Sequence, residues 1–417
     1  MQLKRAVVTG LGALTPIGNN LQEYWNGLIN GVSGSELITR FDISKFKTKF
    51  ACEVKKFDPA AFFERKEAKK YDLYTMFAMV VADEAIKDSG LDLEKINRER
   101  AGVIWASGIG GIGTFFQELK EFFRGDGTPR FNPFFIPKMI SDIAAGHISI
   151  KYGLMGPNFC TVSACASSSN AIIDAVTYIR LGKADIFVSG GSEAAINESG
   201  VGGFSVMQAL SSNNDNYKTA SRPFDKDRDG FVMGEGGGAL IIEEYEHAIA
   251  RGAKIYAEIV GIGMSADAYH LTAPHPEGDG AFRVMKNALE DASIELTEVD
   301  YINVHGTSTP LGDIAETKAI KRVFGEHAYN LNISSTKSMT GHLLGAAGAI
   351  ETIAAILATK YSIIPPTINH FTDDPEIDNK LNLTFNKAQH RTVNYALSNT
   401  FGFGGHNTSI IIKKFEK

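Results

Sequence analysis

The chain has 417 residues, of which 44% are hydrophobic and 22% charged, and its formal net charge is −6. This length predicts two domains or two fused halves, and the composition is that of an ordinary soluble enzyme. The negative charge argues against a nucleic-acid partner, which would need a basic surface.

Three cysteines, Cys52, Cys160 and Cys165, are too few for a disulfide framework, so a reducing cytoplasm is the expected location. The first ten residues run directly into a predicted strand and contain no apolar stretch of signal-peptide length. Glu351 interrupts the longest apolar helix, over 346–358, so no membrane span is expected.

Ten short β-branched runs with glycines at their ends predict strands, five before Lys254 and five after it. The predicted strands are 5–9, 102–106, 159–162, 185–189, 239–243, 255–261, 301–304, 332–334, 395–398 and 408–412. Helical stretches that separate them include 74–88, 166–181, 280–292 and 345–360. This alternation predicts an α/β fold, with one half over 1–254 and the other over 255–417.

One candidate nucleophile is Cys165, in the string Thr161-Val-Ser-Ala-Cys-Ala-Ser-Ser-Ser-Asn170. It lies where an apolar strand ends and a helix of small residues begins. The positive end of a helix stabilises a thiolate, so we expect its pKa to fall from about 8.5 toward neutrality. A cysteine alone is weak evidence, because most such residues belong to the core.

Two histidines beside glycines supply possible partners for the thiol. His305 follows the apolar run 299–304, which places it at the carboxyl end of a buried strand. His342 is predicted to open a helix, where the positive helix end keeps an imidazole neutral and able to donate a hydrogen bond. A cysteine and two histidines with no obvious acid suggest acyl transfer with stabilisation of a developing negative charge.

The string Gly108-Ile-Gly-Gly-Ile-Gly113 follows a predicted strand and formally matches a dinucleotide-binding loop. Such a loop requires an acidic residue about 20 positions later, at the end of a second strand. The corresponding stretch, 124–135, is a loop. We therefore do not expect a nucleotide cofactor.

Four motifs identify a resemblance to the β-ketoacyl-[acyl-carrier-protein] synthases, and among them to the elongating synthase II group of type II fatty-acid synthesis. The resemblance extends from Val7 to Ile412 and rests on Ser163-Ala-Cys-Ala-Ser167, His305-Gly-Thr-Ser-Thr-Pro310, Lys337-Ser-Met-Thr-Gly-His342 and Thr400-Phe-Gly-Phe-Gly-Gly405. It implies a duplicated thiolase-like fold, in which two mixed five-stranded sheets alternate with helices as αβαβα. The strings 165–172 and 342–349 would be the two copies of a helix start, placed face to face.

The resemblance also implies a reaction, in which Cys165 accepts an acyl group from acyl carrier protein. Malonyl-carrier then loses carbon dioxide, and the resulting enolate attacks the Cys165 thioester to give a 3-oxoacyl chain. His305 and His342 would stabilise the enolate, and Lys337 would orient this network. The oxyanion of acyl transfer would be bound by the N–H groups of Cys165 and Phe403.

Further residues are assigned by the same resemblance. Thr307 and Thr309 would contact the thioester arm, although both also suit turn positions, and Ile109 would lie beside the acyl-chain pocket near a homodimer interface. The gate is formed by Phe401, Gly402 and Phe403, in a loop whose glycines permit movement. Four further residues resemble a buried monovalent-cation site found in some relatives: Asn303, Glu351, Ser398 and Asn399. Because the sequence has no motif of metal-ligand spacing here, we favour a hydrogen-bonded network without metal, and the cation site is the alternative. No other metal or cofactor is expected.

An acidic carrier would dock on exposed cations, for which the candidates are Arg65, Lys66, Lys69, Lys70, Arg130 and Lys138. Two positions depart from the family pattern. His406 stands where a small hydroxyl residue is commoner and could enter the arm channel, and Gln208 stands where arginine is common. These departures leave the contacts to the carrier open.

Three other functions occur among proteins with related sequences or the same fold. A degradative thiolase would need a second cysteine near the carboxyl terminus, and no cysteine follows Cys165. A non-catalytic chain-length subunit would lack the nucleophile. A ketosynthase of a type II polyketide or related secondary-metabolite pathway remains the alternative to fatty-acid elongation.

Overall fold

The computed structural model describes residues 3–416. The strands within this range are β1 Ala6–Leu14, β2 Glu36–Leu37, β3 Phe50–Ala51, β4 Ala101–Ala106, β5 Asn158–Thr161, β6 Ile186–Glu193, β7 Gly236–Glu244, β8 Ala257–Ala266, β9 Tyr301–Asn303, β10 Asn332–Ser334, β11 Ile363–Ile364, β12 Gln389–His390, β13 Tyr395–Gly402 and β14 His406–Lys414. Each of the ten predicted strands corresponds to one of these, and β2, β3, β11 and β12 are two-residue additions.

The helices alternate with these strands and mostly begin at capping residues or turns. They are α1 Leu21–Ile29, α2 Arg65–Ala68, α3 Leu73–Ser89, α4 Ile112–Arg124, α5 Phe135–Met139, α6 Ile143–Tyr152, α7 Ser167–Arg180, α8 Glu198–Val206, α9 Tyr245–Ala250, α10 Asp279–Ala292, α11 Pro310–Phe324, α12 Lys337–Thr340 and α13 Ala347–Tyr361. Within residues 3–416 every helix is too short or too polar to span a bilayer.

The order of the ten long-sheet strands repeats within the chain. The five strands before residue 250 are arranged as β1-β7-β6-β4-β5, and the five after it as β8-β14-β13-β9-β10. When the five strands of each set are numbered 1 to 5 in chain order, both sets have the spatial order 1-5-4-2-3. The antiparallel and parallel pairings also repeat. The chain is therefore a structural duplication, and the exact boundary at residues 254 and 255 stays a prediction.

The two five-stranded sets are joined, whereas the sequence predicted two separate sheets. Three residues of β1 pair with β8, and Ala6, Val7 and Val8 face Ile259, Glu258 and Ala257. Each of these strands lies at the edge of its own set, and pairing satisfies main-chain groups that an open edge would leave exposed. The result is one continuous sheet of ten strands.

Helices cover both faces of each half, as predicted. One core cluster holds α3 and α6 against the first half, and another holds α10 and α11 against the second. The central cluster contains α7 and α13 between the inner faces of both halves. The layers thus alternate as αβαβα.

The two central helices approach closely because their first turns carry small residues. The Ala349 N–H donates to Ser168 Oγ over 2.9 Å. A Cβ atom at Gly348 would lie only 2.0 Å from Ser169 Oγ. These close contacts explain why the first turns of both helices consist of small residues.

The correspondence between the two helix starts differs from the predicted one. Ala164 (φ +51°) and Leu344 (φ +50°) both adopt the left-handed conformation, each three residues before its helix begins. This places Cys165 opposite Gly345 in the duplicated structure, and not opposite His342. The predicted correspondence of 165–172 with 342–349 is therefore wrong by three residues. Both stretches consist mostly of small residues, which do not specify a single alignment.

Candidate active site

Cys165 lies in a tight turn between β5 and α7, as predicted. The preceding residue, Ala164, has φ +51°, a conformation that is uncommon for a residue with a side chain. The turn is closed by hydrogen bonds from the Ala166 N–H to Ser163 O (3.1 Å) and from the Ser167 N–H to Ala164 O (3.2 Å). The packed central helices hold this strained turn in place.

The expected lowering of the Cys165 pKa is wrong in direction. Cys165 is only 8% exposed, and burial raises the pKa of its thiol to about 12. The charge of Lys337 and the N–H of Phe403 act in the opposite direction but do not overcome burial. The free protein therefore holds a neutral thiol, which must lose its proton during attack.

The two histidines lie together beside the thiol. His305 follows β9, as predicted, and its ring centroid is 5.3 Å from that of His342, with the ring planes nearly perpendicular. His342 does not open a helix: it lies in an extended bridge with Met233, five residues before α13. Its N–H donates to Val232 O over 2.8 Å. The main chain of His342 is thus held by hydrogen bonding to the segment at Val232 and Met233, and not by the end of a helix.

Both imidazoles are neutral, although for a different reason from the predicted one. Burial lowers the pKa of His305 and His342 well below the usual 6.5, and the charge of Lys337 lowers it further. Each ring has a buried Nδ1 with no hydrogen-bond partner within residues 3–416. Neutral rings can each donate one hydrogen bond without surrendering a proton fully.

Lys337 supplies the positive charge of the site. Its side chain is 1% exposed and forms an ion pair with Glu351, which is equally buried. Burial raises the pKa of Glu351 to about 7, while Lys337 opposes this rise. Because the same ammonium also acts on Cys165 and both histidines, the predicted role of Lys337 in orienting the network has a clear electrostatic basis.

A second buried carboxylate, Glu316, was missed by sequence reasoning. Its two oxygens accept the N–H groups of His305 (2.9 Å) and Gly306 (2.8 Å), and Asn399 Nδ2 donates to it over 3.3 Å. Burial raises its pKa to about 7. Glu316 fixes the backbone from which the His305 ring projects.

The catalytic groups face a cavity of about 470 Å³. Its lining includes Cys165, His305 and His342 at the inner end, together with Thr307 and Thr309. The two threonine hydroxyls are 3.1 Å apart. The thiol, the two imidazoles and the two hydroxyls thus line one cavity, which is the kind of concave site that a thioester arm requires.

The predicted gate residues line the same cavity. Gly402 packs directly on the nucleophile turn, and a Cβ at this position would lie 2.7 Å from Ser163 O. The Phe401 ring lies 5.5 Å from that of His305. Within the described chain, the N–H groups of Cys165 and Phe403 donate to no protein oxygen. The Phe403 N–H is directed at the Cys165 sulfur, whose pKa it lowers, so both donors lie close to the carbonyl of a group bonded to that sulfur.

Cys165 also belongs to a cluster of apolar side chains, three of which, Phe204, Ala209 and Phe231, line the cavity as well. This group, which we call the Cys165 cluster, consists of Ile38, Ala51, Ala195, Ile196, Val201, Leu210, Phe231, Met233 and Leu344, with half-buried Phe41, Ile43, Phe46, Ile109, Ile112, Phe204 and Ala209. Ile109 belongs to this cluster and not to the cavity lining. Its N–H and that of Gly108 donate to the carboxylate of Glu193 (3.3 and 2.7 Å). The glycine-rich loop therefore binds an internal carboxylate where a nucleotide loop would bind phosphate.

The four candidate cation ligands each carry a buried oxygen without a hydrogen-bond partner among the described residues. These atoms are Asn303 Oδ1, Glu351 Oε2, Ser398 Oγ and Asn399 Oδ1. Ser398 and Asn303 are direct neighbours on parallel strands, so their side chains share the face that α13 covers. Asn399 points to the opposite face, toward Glu316. Oxygen donors of this kind fit a hard cation.

The predicted carrier-docking cations lie on the surface and not in the cavity. Arg65, Lys66, Lys69, Lys70 and Arg130 are exposed, and Lys138 is half-buried. His406 is exposed and packs on Gly404, so it does not enter the cavity. Gln208, in contrast, lines the cavity and has φ +56°.

Comparison with known proteins agrees with this geometry. Residues 4–248 match the model of the β-ketoacyl synthase N-terminal domain, and residues 256–371 match that of the C-terminal domain. The chain is 50% identical over 416 residues to the 3-oxoacyl-[acyl-carrier-protein] synthase 2 of Synechocystis sp., covering 100% of this chain and 99% of that protein. It is also 50% identical over 415 residues to the protein of the same name from Staphylococcus aureus, with the same coverage.

Two solved structures share the whole fold. A β-ketoacyl synthase from Burkholderia phymatum superimposes with a TM-score of 0.92 at 35% identity, covering 99% of this chain and all of the other. A type II PKS acyl-carrier protein in complex with its ketosynthase gives the same score and coverage at 36% identity. The predicted resemblance and thiolase-like fold are confirmed, and the chain belongs to the β-ketoacyl synthase family.

Proposed function

We propose that this protein catalyses the decarboxylative condensation of malonyl-[acyl-carrier-protein] with a Cys165-bound acyl chain, as a β-ketoacyl-[acyl-carrier-protein] synthase II of fatty-acid elongation. The observation that carries this function is the meeting of one thiol with two neutral imidazoles at the end of a channel. Full-length relatives named synthase 2 support the same reaction.

In the first half-reaction, the Cys165 sulfur attacks the thioester carbonyl. The N–H groups of Cys165 and Phe403 stabilise the oxyanion. As the tetrahedral intermediate collapses, the bond to the pantetheine sulfur breaks, and that sulfur leaves with the proton given up by the thiol. The Lys337 charge, which lowers the Cys165 pKa, assists this loss of the proton.

In the second half-reaction, the bond between the malonyl carboxylate and its neighbouring carbon breaks, and its electron pair forms a thioester enolate. His305 and His342 donate hydrogen bonds to the enolate oxygen. Carbon dioxide leaves, the enolate carbon attacks the Cys165 thioester carbonyl, and the bond to the Cys165 sulfur breaks. That sulfur leaves as a thiolate and takes up one proton from solvent. Because neither ring is a strong acid, the enolate is stabilised without being quenched.

The substrates are proposed to arrive on acyl carrier protein and to dock on the basic segment Arg65-Lys-Glu-Ala-Lys-Lys70. A solved relative of the same fold is a ketosynthase in complex with an acyl-carrier protein, which supports a carrier partner. The docking cations at 65, 66, 69 and 70 are exposed.

A homodimer is also proposed. Strand β5 ends the ten-stranded sheet, and apolar side chains are exposed beside it, with Ile150 at 79%, Met155 at 64% and Val162 at 59%. Light scattering should give twice the chain mass, and a monomer would contradict this proposal. A reducing cytoplasm remains the proposed location, supported by three free cysteines.

A bound monovalent cation is proposed at the unpartnered oxygens of Asn303, Ser398 and Glu351. It would neutralise the second carboxylate oxygen of Glu351 and leave the first to Lys337. The melting temperature should rise when choline chloride is replaced by potassium or sodium chloride at equal ionic strength. Ser398→Ala should remove that difference, and equal melting temperatures in all three salts would argue for a metal-free network.

The central test is to incubate the protein with carriers charged with acyl groups and to weigh the intact protein. Wild type should gain one acyl mass, located on Cys165 by peptide mapping, and then release a 3-oxoacyl product when malonyl-carrier is added. Cys165→Ala should gain no mass and form no product. Acylation of buried Cys52 or half-buried Cys160, whose thiol pKa values desolvation raises to about 12 and about 11, would refute the assignment.

A polyketide ketosynthase is the second candidate, favoured by the similarity to a type II PKS ketosynthase. The same incubation separates the two functions. A fatty-acid enzyme should extend a saturated acyl chain, whereas a polyketide enzyme should extend the 3-oxoacyl product again without its reduction. The 50% identity to the synthase 2 proteins makes the first outcome the expected one.

A further inference from the structure

Glu193 is a buried carboxylate that the proposed mechanism does not use. It ends strand β6, is 0% exposed, and accepts four hydrogen bonds. One oxygen accepts the Ser107 hydroxyl (3.0 Å) and the Ile109 N–H (3.3 Å). The other accepts the N–H groups of Gly108 (2.7 Å) and Gly345 (3.0 Å). Three donors come from one loop of the first half, and the fourth comes from the second half.

The backbones of the loop and of the turn both approach the Glu193 carboxylate so closely that a side chain at Gly108 or Gly345 would collide with it. A Cβ at Gly108 would lie 2.9 Å from the Glu193 carboxylate, and a Cβ at Gly345 would lie 2.7 Å from it. Gly345 is the residue that occupies the position of Cys165 in the second half. Glu193 therefore ties the loop before α4 to the turn that follows His342.

The loop is rich in glycine, with glycines at 108, 110 and 111, and Gly110 is left-handed with φ +66°. Its far end packs closely on 138–141, where the Gly111 N–H donates to Met139 O (2.9 Å). The end that carries Gly108 and Ile109 is held by Glu193. A glycine-rich segment gains much freedom when a constraint is removed, so the carboxylate determines how firmly the Ile109 side chain is held in the Cys165 cluster.

An acyl chain bonded to Cys165 is stabilised by apolar surroundings. During condensation it needs room beyond the cavity, because the cavity must then hold the thioester arm of the second substrate. The Cys165 cluster is the apolar environment next to the sulfur, and three of its members, Phe204, Ala209 and Phe231, also line the cavity. A chain can enter only if side chains such as half-buried Ile109 give way.

Resting on the proposed function, we propose that Glu193 is a positioning residue for substrate selection. It tethers the loop 107–111, and the strength of this tether sets how long an acyl chain the Cys165 cluster admits. Glu193 touches neither the thiol nor the arm channel, and it acts through the placement of Ile109.

The test compares Cys165 acylation by carriers charged with octanoyl or palmitoyl groups, followed by intact-protein mass. In Glu193→Gln, an NH₂ group replaces one of the two acceptor oxygens. Because an NH₂ group donates, it cannot accept the hydrogen bonds that this oxygen received from the loop or the turn. The palmitoyl-to-octanoyl rate ratio should rise by about tenfold, the size expected from losing one to two net hydrogen bonds. Ser107→Ala removes a single donor and should raise the ratio less, which covers the case in which the amide variant does not fold.

Two controls separate a tether from a general loss of structure. Glu243 is equally buried, on the adjacent strand β7, and binds Arg251 (2.7 Å) and Thr9 (2.8 Å) far from the cluster. Glu243→Gln should lower the melting temperature and leave the ratio unchanged. In an Ile109→Ala background, Glu193→Gln should no longer change the ratio, because the side chain that it holds is absent.

The inference is overturned if Glu193→Gln and Ser107→Ala both keep the ratio within twofold of wild type, or if the rise persists in the Ile109→Ala background. These results leave the proposed function intact, since wild type is still acylated. Failure of wild type to acylate with either chain would instead refute the proposed function, and the tether with it.

Discussion

Replacing Gly402 by alanine tests whether the gate must lie directly on the nucleophile turn. A Cβ at this position would lie 2.7 Å from Ser163 O and 3.2 Å from the Cys165 nitrogen, whereas ordinary contacts begin at 3.4 Å. The gate strand or the turn must therefore shift by about 0.7 Å. Gly402 is a residue of strand β13, without the left-handed backbone that disfavours alanine, so the contact alone is tested.

This shift changes the position of the Phe403 N–H relative to the Cys165 N–H, and these are the two donors to the oxyanion. Misplacement by about 1 Å can reduce a rate by about 100-fold, so Gly402→Ala should slow Cys165 acylation by about 10- to 100-fold. Overpacking of this kind should also cost about 1–3 kcal/mol of stability. The acylation rate is measured by intact-protein mass with an acyl-pantetheine thioester, and stability by urea unfolding.

A matched control is Gly203→Ala. Gly203 is exposed on α8, and a Cβ there would contact nothing within 4 Å. Alanine should leave acylation unchanged and add up to about 1 kcal/mol of stability, as expected in a helix. If Gly402→Ala acylated within twofold of wild type, the close contact between gate and turn would have no catalytic role.

The remaining predictions concern the two half-reactions and the carrier. His305→Ala and His342→Ala should each slow release of carbon dioxide from malonyl-carrier by about 10²–10³-fold while changing Cys165 acylation far less; equal losses in both steps would refute the assignment. Because both histidines have pKa values well below 6.5, wild-type decarboxylation should show no decline centred near pH 6.5 as the pH falls from 8 to 6. Because Glu316 and Glu351 have pKa values of about 7, a midpoint there contradicts the neutral rings only if the histidine ring resonances, followed by NMR, titrate with it. Lys69→Glu with Lys70→Glu should raise KM for acyl-carrier and flatten its salt dependence between 0.1 and 1 M, over which the Debye length falls from about 10 to about 3 Å, and an unchanged KM would move docking elsewhere.

Much of the fold was predictable because strands and turns are local patterns. The predicted strand at 301–304 is observed as Tyr301–Asn303, and the helix predicted over 280–292 is observed as Asp279–Ala292. His305 and Cys165 follow from such patterns, since each lies where a predicted strand ends. The predicted start of a helix at His342 failed, because 342–349 is rich in small residues that suit a turn as well as a helix.

Other properties depend on residues that are distant in the chain. The raised pKa of the Cys165 thiol results from burial, which no short string reveals, and burial here outweighs the helix end that the sequence does show. Glu193 is 85 residues away from Gly108, and nothing near either one marks them as partners. Glu316 is closer to His305 in sequence. It lies on the apolar face of α11 together with Ala315 and Ala319, and a carboxylate on a buried helix face is the pattern by which it could have been predicted.

The duplicated architecture has a consequence for the origin of the active site. A chain with a single repeat would have to form a symmetric pair, and it would present the same residue at both helix starts. Here one helix start carries Cys165 and the equivalent position carries Gly345, whose lack of a side chain admits the carboxylate of Glu193. The thiol and the imidazoles can occupy different halves only if the two repeats carry different residues at equivalent positions. Two repeats fused in one chain can change independently of each other, whereas two identical chains in a symmetric pair cannot.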